Sequence, residues 1–226
     1  MAAATLATLL VMCQDLLGSS VYFSSAYLTD WINRGIEDLS IYFPLYAEYD
    51  ISTTAGVHIY DLETYIKGVT SVEYPQGQNP PRYLLRKSYT NPEFWLVEGY
   101  YDIHKLQSSA TADPPQIVVS DTTLLAQTIR LKVAMDHTAL ASPGDECTVL
   151  ERHVNLILQF VRWKAFQELS AKESEDPSPL NTRASSFEIN AQRAGEAYHE
   201  SLRSAASAES ESGQTAWKMD RFDGLY

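Results

Sequence analysis

The spacing of apolar positions changes period twice along the chain. Residues 2–17 place Leu6, Leu9, Leu10, Val11 and Leu17 at helical intervals, with Gly18 as a stop. Ser24 or Ser25 can cap a second helix, whose stripe is Tyr27, Leu28, Trp31, Ile32, Ile36 and Leu39. It runs to about Phe43, where Pro44 ends it, and the short break before it predicts an antiparallel helical hairpin. From Tyr46 short β runs bounded by turn residues take over: Val57, Ile59 and Leu62, then Val69 and Val72, then Tyr83 to Leu85. Asn91-Pro92 turns into a further run, Phe94-Trp95-Leu96-Val97, and Gly99 to Ile103 continues it. Ile117-Val118-Val119 follows, and Ile129, Leu131 and Val133 alternate cleanly with Thr128, Arg130 and Lys132.

Helical spacing returns near Thr148. Val149, His153, Leu156, Phe160, Trp163 and Gln167 trace one face, and Ile157, Val161 and Phe166 widen it, the mark of a helix central in its bundle. A last helix, expected from about Pro179, carries Phe187, Ala191, Ala194, Tyr198, Leu202 and Ala205.

Helices and strands segregated in this way predict an α+β fold. Residues 1–45 and 146–206 are expected to form one four-helix bundle. Residues 46–145 form an inserted antiparallel β module, a small sandwich or barrel. Residues 207–226 are a small, polar linker and an extended C-terminal arm. Such a layout lacks the crevice that alternating α/β folds offer to cofactors.

Composition narrows the function. The chain has 226 residues, with 29 acidic and 17 basic side chains for a net charge of −12, the reverse of what gripping phosphate requires. No apolar run is long enough to span a bilayer. Residues 1–17 have no basic segment before them, and Gln14 and Asp15 stand where a signal-peptide cleavage site would be. Cys13 and Cys147 match no metal or redox spacing and read as reduced, ordinary small residues.

Catalytic chemistry finds little footing. Asp102 and His104 share one face of a strand, while Asp136 and His137 point to opposite faces. Neither pair has a third ligand, and two ligands do not hold zinc. His153, on an apolar helix face, reads as a satisfied core or interface histidine. No nucleophile elbow or phosphate-binding glycine loop is present, so no catalytic residue, cofactor or metal is expected.

The aromatic residues say more. Four tryptophans and fourteen tyrosines are present. Sheet packing accounts for most of them, but Trp217, Met219, Phe222, Leu225 and Tyr226 follow a linker beyond the last helix. They read as a docking arm for a partner subunit or another protein, with Arg221 as its charged anchor. The alanine-rich stripe Ala191, Ala194, Tyr198 and Leu202 permits close approach of a neighbouring helix and is expected at a contact between subunits.

These features resemble the head-to-tail adaptor (connector, or gatekeeper) proteins of tailed bacteriophages. The similar stretches are the hairpin ending Trp31-Ile32-Asn33 through Tyr42-Phe43-Pro44, the strand Thr54-Ala55-Gly56-Val57-His58-Ile59-Tyr60-Asp61-Leu62 with its successor Gly68 to Tyr74, and Arg162-Trp163-Lys164-Ala165. Glu63 stands where many members carry proline. The resemblance implies a virion protein of the neck, made in the host cytoplasm. It implies a homo-oligomeric ring of about twelve copies. That ring binds the portal, extends its channel over passing genomic DNA without specific binding, and meets a tail nozzle or tail-terminator protein, with no membrane involved. An acidic wall would then repel passing phosphate weakly everywhere. The competing expectation is a tail or baseplate adhesion module that stacks saccharide on Trp95, Tyr100 and Tyr101.

Overall fold

The computed structural model describes residues 4–17, 23–105, 114–120, 127–174 and 182–211. The chain divides into two compact units, residues 1–43 with 137–226, and residues 44–136. The protein is α+β, and among the described residues no helix is long and apolar enough to cross a membrane.

The first unit holds four α-helices: α1 (Leu6–Leu17), α2 (Ser25–Tyr42), α3 (Val154–Ser174) and α4 (Thr182–Glu211). α3 packs against each of the other three. Their apolar stripes meet in one core that includes Leu9 and Cys13 of α1, Trp31, Ile32 and Leu39 of α2, Ile157, Phe160 and Val161 of α3, and Tyr198 and Leu202 of α4. Two glycines set the spacing. A β-carbon at Gly35 would lie 3.2 Å from the Phe160 ring, and one at Gly195 would lie 2.9 Å from Trp163 Nε1. Helices cross closely there because the bulky ring sits over a residue with no side chain.

Because this unit is discontinuous in sequence, polar bonds close it where the chain leaves and returns. The Leu6 and Ala7 amides, first-turn donors without a partner inside α1, donate to Asp145 and Pro143 carbonyls at 3.0 Å each. Asn33 clamps Leu140 from both sides: its Nδ2 donates to the Leu140 carbonyl at 2.9 Å, and its Oδ1 accepts the Leu140 amide at 2.8 Å. The His137 amide donates to the buried Ser40 hydroxyl at 3.0 Å. Since a carbonyl only accepts, His137 Nε2–H donates to Phe43 O at 2.8 Å. In that neutral tautomer Nδ1 accepts from the Thr148 hydroxyl at 2.9 Å.

The second unit contains two sheets around a shared core. β1 (Leu45–Ser52), β3 (Ile66–Glu73) and β7 (Thr128–Met135) form an antiparallel sheet in the order β1-β7-β3. β2 (Ile59–Asp61), β4 (Leu85–Arg86), β5 (Tyr100–His104) and β6 (Gln116–Val119) form the other, in the order β2-β6-β5-β4. Ile66, Val72, Ile129, Leu131 and Val133 from the first sheet meet Tyr101, Ile117 and Val119 from the second.

Several expectations need correction. The module is not wholly antiparallel, because β4 runs parallel to β5. Phe94-Trp95-Leu96-Val97 is not a strand. Asn91 Oδ1 accepts the Glu93 amide at 3.0 Å and Pro92 opens a 3-10 helix, Pro92–Trp95, so local capping overrides the β preference of the aromatic run. The linker does not begin at residue 207: α4 continues to Glu211, through good helix formers such as Ala208.

Two stability tests follow from this packing. Gly195→Ala gains about 1 kcal/mol of helix propensity, yet overpacks the Trp163 indole, which Phe160 and Tyr198 hold in place, at a cost of about 1–3 kcal/mol. The urea midpoint is expected to fall, whereas Ser204→Ala on the exposed side of α4 raises it; a higher midpoint for Gly195→Ala refutes the close crossing. Asn33→Ala leaves two Leu140 backbone groups without their partner and is expected to cost about 1–3 kcal/mol in the same assay, whereas an unchanged midpoint removes the clamp from the account.

Candidate interaction surfaces

The arm residues Trp217, Met219, Arg221, Phe222, Leu225 and Tyr226 lie outside the described residues. The α4 stripe is described, and it turns inward. Tyr198 is fully buried, Leu202 and Ala191 nearly so, and Ala194 is half-buried. Tyr198 stacks on Trp163, meets Phe160 edge-on and donates its hydroxyl to Asp38. Burial, then the hydrogen bond to the Asp38 carboxylate and its charge, push the Tyr198 pKa up. These side chains serve the protein's own core, which corrects the expectation that they face a neighbouring subunit. The alanine spacing does report a close helix contact, but that contact is with α3.

The histidine pairs are structural. Asp102 accepts the Tyr89 amide at 3.0 Å, and His104 meets the Tyr89 ring edge-on. Asp136 pairs with Lys67 at 3.1 Å, and His137 holds the junction already described. His153 is buried, stacks on Phe43 at 4.1 Å and donates to Glu209 Oε1 at 2.7 Å. Arg152 Nη2 reaches the same oxygen at 2.6 Å, so the last turns of α4 are held to the start of α3. Among the described residues no group of three His, Cys, Asp or Glu side chains could hold a metal ion.

The saccharide platform does not assemble. Tyr101 points into the core at 5% exposure, whereas Tyr100, its neighbour on the strand, stacks on Phe94 on the opposite face. Period-two alternation separates the two rings by construction.

The outer faces of the two sheets differ in chemistry. On the three-stranded sheet Arg130 of β7 sits directly across from Asp50 of β1 and Glu73 of β3. Its Nε and Nη2 donate to the two Asp50 oxygens at 2.9 and 3.0 Å, and its Nη1 lies 3.1 Å from Glu48. The hydrogen bond from Arg130, more than its charge, holds the Asp50 carboxyl below the usual carboxylate range. On the four-stranded sheet, register puts Ile59 beside Val118 and Leu85 beside Tyr100 on the outward side. Segment 87–97 crosses that side: Lys87 lies over the Tyr100 ring, and Phe94 is wholly buried beneath it. Trp95, Leu96 and Val97 stand out from it, with Leu96 at 82% exposure. The sequence signal for this segment is the Asn-Pro pair, which makes the following apolar residues a turn and not a sheet layer.

The family model of the SU10 adaptor protein matches residues 4–217, which span both units. The chain therefore belongs to the SU10 adaptor protein family, a family of structural phage adaptors found in the virion. No curated protein matches it.

The two cysteines report on the helical core. Burial pushes the Cys13 thiol up to about 12 and also raises Cys147. Between the ordinary thiol value of 9.0 and that raised value, the unfolded chain releases protons that the folded one keeps. Stability is therefore expected to fall as pH rises through this window, and Tyr198 acts in the same direction at its upper end. Urea midpoints measured from about pH 8 to about pH 11 check this, and a flat profile overturns it. Iodoacetamide at about pH 8 should label both thiols only at the rate at which the helical unit opens.

Proposed function

We propose that this chain is the head-to-tail adaptor of a tailed bacteriophage and acts as a closed ring between portal and tail. The single observation that carries the reading is the family match across nearly the whole chain, helical and β units together. In this reading the four helices form a bundle that makes the ring wall, and residues 212–226 are an arm whose Trp217, Met219, Phe222 and Tyr226 anchor on the portal. A ring needs two different faces on each copy. With the α4 stripe committed to the core, the outward side of α1, carrying exposed Val11, Met12 and Leu16, is the candidate for one of them. The other end of the ring receives a tail nozzle or tail-terminator protein.

The net charge of −12 supports a passive role toward DNA. An acidic lumen repels phosphate weakly along its length, so the duplex meets no trap during ejection. No chemistry is asked of any side chain.

The mass of the purified protein, alone and mixed with the portal of the same phage, tests this reading. The full chain is expected to be monomeric alone and to assemble as a ring of about twelve copies on the portal. A chain ending at Glu211 is expected to lose that assembly while keeping its helical spectrum. A protein indifferent to the portal overturns the reading.

A further inference from the structure

We propose that Glu209, held by Arg152 and His153, is a latch that keeps the last turn of α4 wound until the protein meets its partner. Opening the latch adds residues 207–211 to the arm. The opening step rests on the adaptor reading, in which residues 212–226 are an arm for the portal; the latch itself does not.

These side chains stand at the wrong ends of their helices. A helix C-terminus carries partial negative charge and disfavours an acid, whereas an N-terminus disfavours a base. Glu209 lies in the last turn of α4, which holds no basic residue. Arg152 and His153 come immediately before α3, which opens at Val154. Across the two helices the misplaced groups meet. His153 Nε2 donates to Glu209 Oε1 at 2.7 Å, and Arg152 Nη2 donates to the same oxygen at 2.6 Å. Unfavourable within its own helix, each group is favourable against the other helix's.

The two sides of the contact differ in support. On the α3 side His153 is buried, its ring stacks on Phe43 at 4.1 Å, and the Phe43 carbonyl accepts from His137 at 2.8 Å. On the α4 side core packing fades. Leu202 is buried, Ala205 and Ala206 pack at the margin of the core, and Ser207 and Ala208 are exposed. Glu209 reaches back to α3 from a turn that has left the core.

Such a turn opens locally at the loss of few apolar contacts. Wound, residues 207–211 rise about 1.5 Å each; extended, they span about 3.3 Å each, so opening more than doubles their reach. Arg152 is more than half exposed, so an acidic side chain of the partner can take its guanidinium from Glu209. That exchange supplies the differential contact a ligand needs in order to shift the equilibrium.

Hydrogen exchange of the full chain, read by mass spectrometry, tests both steps. Glu209→Ala removes an acid from a helix C-terminus and installs the best helix former, so a turn held by its own helix alone would exchange more slowly. The latch predicts the reverse. Amides 207–211 are expected to exchange about tenfold faster, as for lost hydrogen bonds to a charged group, while amides 195–202 keep their protection. Glu209→Gln retains an accepting oxygen and is expected to restore most of the protection. Slower or unchanged exchange in Glu209→Ala, or equal loss along all of α4, overturns the latch. Bound to the purified portal of the same phage, the unaltered chain is expected to lose protection at 207–211; retained or increased protection there overturns the release. A chain that does not bind the portal overturns the adaptor reading and the release with it, while the comparison in the free chain still decides the latch.

Discussion

The helical unit depends on a small set of hydrogen bonds at the place where the chain leaves α2 and comes back. Residues 44–136 separate the two halves of one core, so the first two helices have no complete partner until His137 has returned. The return is not left to apolar packing. His137 bonds to the Phe43 carbonyl and the Ser40 hydroxyl, Asn33 clamps Leu140, and the α1 amides take the carbonyls of 143 and 145. Each bond gives a backbone group at the junction its partner, so each favours one geometry of the return. Leu140 is then delivered into the core at 2% exposure.

With that junction closed, α3 can occupy the centre. It brings Phe160 and Trp163 against α2 and α4, and both partners answer with glycine, Gly35 and Gly195. The buried Tyr198 hydroxyl, which would be costly alone, is satisfied by Asp38 of α2, so an aromatic of α4 ties the hairpin of α3 and α4 to the first pair of helices. Apolar volume and one polar bond act on the same residue, which makes this packing specific as well as stable.

The existence of α1, α2 and α3 was legible because their apolar periods are long and Gly18 and Pro44 offer stops. The last β strand was legible for the same reason, its alternation being strict. The helical stripes were legible only in part: Val11 and Tyr27, which the spacing puts on them, are exposed, and Cys13, fully buried in α1, is not on its stripe. β1 is hard to see in the sequence, although Leu45, Ala47, Tyr49 and Ile51 alternate with Tyr46, Glu48, Asp50 and Ser52; tyrosine serves either face and blurs the contrast. The partner of a stripe is not written in the stripe. Ala191, Ala194, Tyr198 and Leu202 announce close helix contact without saying whether the other helix belongs to the same chain. Phe94 to Val97 look like a strand from their apolar run alone, but the Asn-Pro pair ahead of them converts the run to a turn.

The ends of the inserted unit leave and enter the helices at Phe43 and His137, two residues joined by a hydrogen bond. An insertion gathered at one point behaves as a cassette. Changing its length alters only a loop-closure term that grows slowly with length, and leaves the helical core untouched. Such a joint lets the surface of the inserted unit change while the helices keep the packing that holds them together.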